Sequence, residues 1–486
     1  MKKQQSAPGT SLVAASPGRR PRLLRRVLVA VAAGGAAGAA AFAAVLALVP
    51  QDEHTPARPP APGPKARAAT SVTAGVPAAL PDLTAVITDR ERYLRTRPGD
   101  APAWAVLGTA YVERALRTAD AADYPRAERA LDSSLEARGE RNTEALEGLT
   151  ALANARRDYG EARRRGEQVL KLEPKRWSAY PPLIEAYTGL GDYKAARSAL
   201  DELMGLRAGD EARPAVMARA AAVYRDRGWR EDATAQLTDA AAAARTPAEQ
   251  AAYLERTGQL SWERGDREDA LRHFEAAVRL DPDQSAAFAG QGRALAALGR
   301  TKEALDAYTR ALAGRPSPQY ALELGELYES LGKEREAQAR YGLLRERVER
   351  ETSGGVDDAL VLGQFEADHG DPQEAVRLLR EEWERQPGIE VADALGWALY
   401  RAGEPQEGLG FAKRATDKAK GGGVRSALYV FHRGVIEREL GDDALARRHL
   451  KEALQINPYF SPERVKEART ALDDLGEVPQ EPAPVW

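Results

Sequence analysis

The sequence contains no cysteine among its 486 residues. This absence excludes disulfide bonds, thiolate metal sites, a cysteine nucleophile and a lipid-modified N-terminal cysteine. Histidine is also scarce, with five in the chain. No two of them have the spacing of roughly three to five residues that paired metal ligands usually show. The sequence therefore predicts neither a metal site nor a cofactor.

Catalytic motifs are missing as well. The chain has no Gly-rich phosphate loop, no Gly-x-Ser-x-Gly and no His-Glu-x-x-His. Charged neighbours such as Arg267, Glu268 and Asp269 are typical of solvated helix faces. His273 and His449 fall on the outer part of helical patterns, where we expect solvated side chains. We therefore expect a protein that is not an enzyme.

What the chain does contain is an internal repeat. Within residues 251–316, positions that are 34 residues apart carry matching residues. The coinciding pairs are Gly258 with Gly292, Gly265 with Gly299, Ala270 with Ala304, Phe274 with Tyr308, Ala277 with Ala311 and Pro282 with Pro316. Each copy holds two amphipathic helical patterns separated by a glycine-centred break. A fixed period of this length predicts stacked helix–turn–helix units, that is, a solenoid.

The repeat resembles the tetratricopeptide repeat, a helix pair of this length with small residues at positions eight and twenty. Its position twenty-four is aromatic or leucine, and its position thirty-two is proline. The resemblance implies an all-α, right-handed superhelix of about ten repeats over residues 81–475, with capping helices at its ends. In repeat nine, Gly408 replaces the alanine of position twenty. The tail, residues 476–486, is expected to be disordered.

Several irregularities interrupt the period. The first repeat is seven residues too long, which predicts longer helices or a loop around residues 117–123. Polar or glycine-rich breaks are predicted at residues 351–355 and 418–423. Four glycine–aspartate steps recur at the turn between helices, where the aspartate would cap the second helix. They are Gly191 with Asp192, Gly265 with Asp266, Gly370 with Asp371 and Gly441 with Asp442.

The N-terminal region differs in kind. Residues 1–26 contain seven lysines and arginines and no acid, and residues 27–49 contain no charge. A helix over 27–49 would be about 34 Å long, enough to cross a bilayer core of roughly 30 Å. The basic flank predicts a single transmembrane helix with residues 1–26 in the cytoplasm and the repeats outside. A secretory signal cleaved near Ala43 is the alternative. Residues 50–80 are rich in proline and alanine and predict an extended tether.

Charge argues against nucleic-acid binding. Residues 1–82 carry ten basic and three acidic side chains, whereas the formal net charge of the whole chain is −3. Residues 83–486 therefore have a net charge of −10, the wrong sign for binding a phosphate backbone.

The resemblance implies that the first helix of each repeat lines a concave groove, with contacts from positions two, five, six, nine, twelve and thirteen. Tryptophan, tyrosine and arginine at such positions are enriched in binding hot spots. The candidate residues are Arg219, Arg225, Arg256, Gln259, Trp262, Arg293, Gln364, Trp397, Tyr400 and Arg438. For Trp262, Trp397 and Tyr400, packing against a neighbouring repeat is an equal alternative. The chain lacks the Lys and Asn pattern with which chaperone-binding members hold a C-terminal carboxylate, so that ligand is not expected.

The sequence thus predicts a membrane-anchored scaffold or assembly factor that binds a protein or peptide of unknown identity in its groove. Two alternatives stay open. One is a secreted soluble binding protein, and the other is a substrate-recruiting regulatory subunit of an envelope enzyme.

Overall fold

A computed structural model describes residues 63–418 and 423–476. Over these residues all the regular structure is helical, with 23 α-helices and one short 3₁₀ helix. The prediction of an all-α solenoid is confirmed. The basic segment 1–26, the predicted span 27–49 and residues 477–486 lie outside the described residues. No helix within the described residues is long and apolar enough to cross a membrane.

Two helices precede the array, α1 (Pro64–Ala74) and α2 (Leu80–Thr96). Helix α1 falls inside the predicted tether, so the expectation of extended structure is wrong for these residues. Both local signals at the helix ends and tertiary packing explain why α1 forms. Pro64 occupies a first-turn position that tolerates proline, and Gly75 ends the helix with a φ of 64°. Ala68 and Val72 are buried in the N-terminal part of the core.

Ten helix pairs follow, each pair packed face to face. Their bounds are α3 (Ala101–Thr118) with α4 (Asp123–Arg138), α5 (Thr143–Ala155) with α6 (Tyr159–Leu172), α7 (Tyr180–Gly189) with α8 (Tyr193–Gly205), α9 (Arg213–Asp226) with α10 (Arg230–Ala243), α11 (Pro247–Glu263) with α12 (Arg267–Leu280), α13 (Ser285–Ala297) with α14 (Thr301–Gly314), α15 (Pro318–Ser330) with α16 (Glu334–Ser353), α17 (Ala359–His369) with α18 (Pro372–Arg385), α19 (Ile389–Arg401) with α20 (Pro405–Thr416), and α21 (Ala427–Glu439) with α22 (Asp443–Ile456). A final helix, α23 (Arg464–Leu475), packs against the last pair.

The small residues of each repeat set how closely its two helices pack. Ala270 and Ala304 are fully buried, as their repeat positions predict. A Cβ added at Gly258 would lie 2.8 Å from the ring of Phe274. In repeat nine, a Cβ at Gly408 would lie 2.6 Å from the carbonyl oxygen of Gly396. Glycine at position twenty therefore allows α19 and α20 to approach backbone to backbone.

The structure accounts for two of the irregularities in the repeat period, the long first repeat and the break predicted at residues 351–355. Helix α3 is long and runs to Thr118, and a short turn precedes α4, so the first repeat has both a longer helix and a loop. The break predicted at residues 351–355 begins later, because α16 continues to Ser353. Glu351 lies on the last turn of this helix and is buried. Tertiary contacts there prolong the helix beyond the point at which the polar sequence suggests a break.

Successive turns of the superhelix touch each other along a line of contacts that we call the seam. Four of its hydrogen bonds join residues 195 to 200 positions apart, so about six repeats complete one superhelical turn. They run from Arg156 Nε to Gly354 O (2.9 Å), from Arg157 Nη1 to Asp357 O (2.8 Å), from Ile389 N to Tyr193 Oη (3.1 Å) and from Asn457 Nδ2 to Trp262 O (2.8 Å). The turn inside one repeat thereby meets the connection between two repeats of the next superhelical turn.

The turn glycines make the seam possible. Gly191 has a φ of 69°, and a Cβ there would lie 2.4 Å from the carbonyl oxygen of Pro387. Gly228 has a φ of 77°, and its Cβ would lie 2.6 Å from the carbonyl oxygen of Gly423. These residues need glycine both for the left-handed turn and for the close approach of the next superhelical turn. Because successive superhelical turns touch along the seam, the concave face lines an enclosed interior.

Candidate functional site

The interior contains a cavity of about 640 Å³. Most of its wall comes from the first helices of repeats five to ten, α11, α13, α15, α17, α19 and α21. Thr301 and Tyr308 of α14 also belong to the lining, and residues 458–469 close one side. Four candidate groove residues belong to the lining, namely Trp262, Arg293, Gln364 and Trp397. The repeat positions therefore bring together side chains that are up to 135 residues apart in the sequence.

Trp397 is the most enclosed of the four and is 3% exposed. Its indole Nε1 donates a 2.9 Å hydrogen bond to Asp368, and its ring stacks on His432 with 4.2 Å between ring centroids. Asp368 also pairs with Arg464 at 2.6 Å, and the Arg464 guanidinium lies 5.3 Å from the centroid of the indole ring. The C-terminal segment is thus tied to repeats eight and nine by one aromatic and ionic cluster.

Arg293 lies in a polar chain that crosses several first helices. Its Nη1 donates to Gln259 Oε1 at 2.5 Å, one repeat earlier, and its Nε lies 3.2 Å from Glu323, one repeat later. Gln259 in turn donates to Glu263, which pairs with Arg225 at 2.8 Å. Hydrogen bonds and ion pairs thus connect these candidate residues within the chain. The chain holds their side chains in place and links repeats four to seven.

The remaining candidates lie apart from the cavity lining. Arg219 pairs with Glu185 at 3.0 Å, again one repeat away, and Arg438 pairs with Asp474 at 2.8 Å. Tyr400 packs beside Trp397 with 5.0 Å between ring centroids. Arg256 is exposed. Burial raises the pKa of Glu113 in repeat one, and Arg117 and, to a smaller extent, Arg256 oppose this shift.

Trp262 fits both interpretations that the sequence left open, a groove residue and a residue that packs against a neighbouring repeat. It lines the cavity, yet it is only 9% exposed and belongs to the hydrophobic core around Phe274 and Phe288. Its backbone carbonyl accepts the seam hydrogen bond from Asn457. Trp262 is therefore a wall of the cavity that also supports the repeat and the seam.

A second cluster surrounds His369 on the cavity wall. Its ring stacks on Tyr341 with 4.5 Å between centroids, and its Nδ1 lies 3.3 Å from Glu329. Its Nε2 lies 3.8 Å from Glu326. Burial lowers the pKa of His369, but Glu326 and Glu329 outweigh it, so the pKa is raised above its ordinary value. Burial also raises the pKa of Glu326, although His369 opposes that shift.

Sequence reasoning missed several lining residues that its own positional rule reaches. Glu323 and Glu326 occupy positions six and nine of repeat seven, and Asp368 occupies position thirteen of repeat eight. Enrichment of aromatic and arginine side chains at hot spots does not indicate acidic residues at these positions. Arg464 could not have been found in this way, because it follows the last repeat and reaches the cavity only through the path of the C-terminal segment.

The expectation of solvated histidines is wrong for His449. This residue is 7% exposed, and its Nδ1 lies 2.5 Å from Glu437, which is fully buried and also pairs with Arg433. His273 is half-buried. Glu437 lies on the first helix of the same repeat, α21, so His449 faces its partner helix rather than solvent.

Three solved structures are similar to this chain at a low level. The human IFIT1 dimer with PPP-AAAA has a TM-score of 0.44 and 16% identity, covering 65% of this chain and 71% of that chain. The yeast Tom70 structure has a TM-score of 0.30 and 14% identity, covering 73% and 92%. A tetratricopeptide repeat protein from Parabacteroides merdae has a TM-score of 0.31 and 17% identity, covering 54% and 98%. No curated protein matches the sequence.

The tetratricopeptide repeat family model matches two stretches, residues 256–321 and 394–459. The first stretch contains Gln259, Trp262 and Arg293, and the second contains Trp397 and Tyr400. Both stretches supply first helices to the cavity wall. The two matched stretches therefore carry tetratricopeptide repeats, and both contribute to the lining of the cavity.

Proposed function

We propose that the protein is a non-enzymatic binding protein whose interior cavity holds a short segment of a partner protein. The observation that carries this proposal is the cavity itself, which six successive first helices and the C-terminal segment enclose. A volume of about 640 Å³ lies within the usual range of ligand sites, roughly 300–1,000 Å³. It accommodates a few side chains, so the bound element is a segment rather than a domain.

The lining favours such a segment chemically. Indole rings of Trp262 and Trp397 offer apolar surface, while Gln364, Glu323 and Glu326 offer polar groups beside it. Several charges already have partners within the wall, as Arg293 does with Glu323. A site whose polar groups are held in advance loses less conformational entropy when it binds.

We further propose that residues 27–49 anchor the protein in the cytoplasmic membrane, with residues 1–26 inside and the repeats outside. The support is the uncharged length of this stretch and the basic residues before it. The protein would then serve as a scaffold or assembly factor at the cell envelope. Protease added to intact spheroplasts should digest the repeats. Protection of the repeats would contradict this topology, whereas a mature chain beginning near Ala44 would establish the secreted alternative.

Site-specific photo-crosslinking tests the cavity as the binding site. A photoreactive amino acid at Gln364 faces the cavity, whereas one at Lys302 lies on the exposed face of α14. With the full chain in native membranes, we expect the Gln364 probe to capture a defined protein and the Lys302 probe to capture none. Capture of the same protein at both positions would show that the cavity is not the site. An enzyme as the captured protein would favour the regulatory-subunit alternative.

A further inference from the structure

Four carboxyl groups gather where repeats one and two meet repeats seven and eight across the seam. They belong to Glu351 of α16, to Asp357 and Asp358 of the connection that follows, and to Glu382 of α18. Glu351, Asp358 and Glu382 are 6%, 3% and 5% exposed. Burial of several acids together at one contact is costly unless cations or protons compensate their charge.

Around Glu351, arginines supply compensating charge, but the hydrogen bonding of the carboxyl groups is incomplete. The groups that face it are Asp358, the arginines at 157, 315 and 347, and the ring of Tyr124. Arg157 forms an ion pair with Asp358, and Arg347 donates to the carbonyl of Ala119 across the seam at 2.8 Å. Glu351 Oε1 and Asp358 Oδ2 are buried and accept no hydrogen bond within the described residues. One proton shared at this pair would relieve the repulsion between the two acids.

Glu382 forms the second pair, with Asp357. Arg385 forms ion pairs with both of these carboxyl groups, at 2.6 Å in the case of Asp357, and Tyr159 also faces Glu382. Glu382 Oε1 accepts from Gln386 Nε2 at 2.8 Å. The oxygen of the same Gln386 amide accepts from the backbone N–H of Tyr159 at 3.0 Å, across the seam. The state of Glu382 is therefore transmitted to a hydrogen bond that joins the two superhelical turns.

Burial, followed by the neighbouring carboxylate, raises the pKa of Glu351 to about 7 and that of Glu382 to about 7. A solvated glutamate releases its proton near pH 4.3. Between these values the closed seam binds protons that an open seam would release. Protonation therefore favours the closed seam at low pH, and this contribution to the free energy of closure is lost as the pH rises through about 7.

We propose that the seam is a proton-operated closure. The two superhelical turns are held together while Glu351 and Glu382 carry protons, and they part at repeats one, two, seven and eight when those protons leave. Parting gives a partner sideways access to the interior. The closure is a property of the chain alone, so it stands or falls independently of the proposed binding function.

The absence of cysteine makes the test direct. Cysteines introduced at Ala122 and Thr352, which are exposed on opposite sides of the seam, carry nitroxide labels in the full chain. Pulsed electron paramagnetic resonance then measures the distance between the labels at about pH 5.5 and about pH 8.5, on either side of the raised pKa values. We expect one short distance at the lower pH and a longer, broader distribution at the higher pH. An unchanged distribution would overturn the proposal.

Neutral variants identify the groups responsible. In the doubly labelled chain, Glu351→Gln with Glu382→Gln should keep the short distance at both pH values, because neither side chain can lose a proton. The matched control is Glu349→Gln with Glu384→Gln, two exposed carboxyls on the same helices. The control should respond to pH as the parent does. Loss of the response in the control would overturn the assignment, and the pH series of the parent remains decisive if the first variant fails to fold.

Discussion

The side-chain amide of Asn457 donates a 2.8 Å hydrogen bond to the backbone carbonyl of Trp262, which lies 195 residues earlier and one superhelical turn away. Its amide oxygen accepts from the backbone N–H of Tyr459 at 2.8 Å, so both ends of the amide are used. Asn457 is 2% exposed. One side chain thus orders the C-terminal segment and joins it to repeat five.

Asn457→Ala should lower the free energy of unfolding by about 1–3 kcal/mol, because the buried carbonyl of Trp262 loses one of its two donors and the N–H of Tyr459 loses its acceptor. Urea denaturation measures this loss. The control is Asn154→Ala, which removes a 2.8 Å bond to Pro182 O in the adjacent repeat. Hydrogen exchange separates the two variants, since amides at residues 262–267 should exchange faster only after Asn457→Ala. Equal exchange in both variants would show that this bond does not hold the seam.

The turn glycines allow a second matched comparison. Gly191 and Gly299 have φ values of 69° and 74°, so alanine at either costs about 1–2 kcal/mol of backbone strain. A Cβ at Gly299 meets nothing within 4 Å, whereas one at Gly191 would lie 2.4 Å from Pro387 O. Gly191→Ala should therefore destabilise the protein more than Gly299→Ala in chemical denaturation. Equal losses would mean that the seam adds nothing to stability at repeat three.

The sequence predicted the helix pairs because their signals are local. Positions eight, twenty and twenty-four recur with the period, and the burial of Ala270 and Ala304 follows from that register. The concave position of Trp262, Arg293, Gln364 and Trp397 follows from the same register. A local pattern repeated many times is sufficient for this level of structure.

The seam could not be predicted, because it depends on how small rotations between neighbouring repeats accumulate over about six repeats. In the sequence, Gly191 indicates only a turn between two helices. Nothing in the sequence pattern predicts its contact with Pro387. The path of the C-terminal segment has the same difficulty. Arg464 reaches Asp368 only because the last helix folds back beside repeats eight and nine.

His369 should titrate above an ordinary histidine, since Glu326 and Glu329 raise its pKa. A histidine pKa raised by folding contributes stability that is full below about pH 6.5 and is lost as the pH rises through the folded value. Glu329→Gln removes one of the two carboxylates and should lower the pKa of His369. Imidazole NMR over a pH series measures it, and the exposed Glu336 supplies the control, Glu336→Gln. An unchanged pKa in the Glu329 variant would refute this electrostatic account.

Trp262 is a poor probe of binding, because its side chain is also part of the core. Trp262→Ala should cost about 3–5 kcal/mol, as large-to-small changes of buried aromatic residues do. Thermal denaturation measures this loss. A variant that melts like the parent would show that the indole belongs to the cavity alone.

Gln364 is the better probe, because it lines the cavity and is only half-buried. Gln364→Ala should melt like the parent yet bind the protein captured by the Gln364 crosslink at least about tenfold more weakly, a loss of about 1.4 kcal/mol. Lys302→Ala, on the exposed face of α14, should change neither property. Titration calorimetry with the purified partner measures the three affinities. If Gln364→Ala binds as tightly as Lys302→Ala, the partner does not contact this wall, and the exposed Arg256 becomes the next position to test on the concave face.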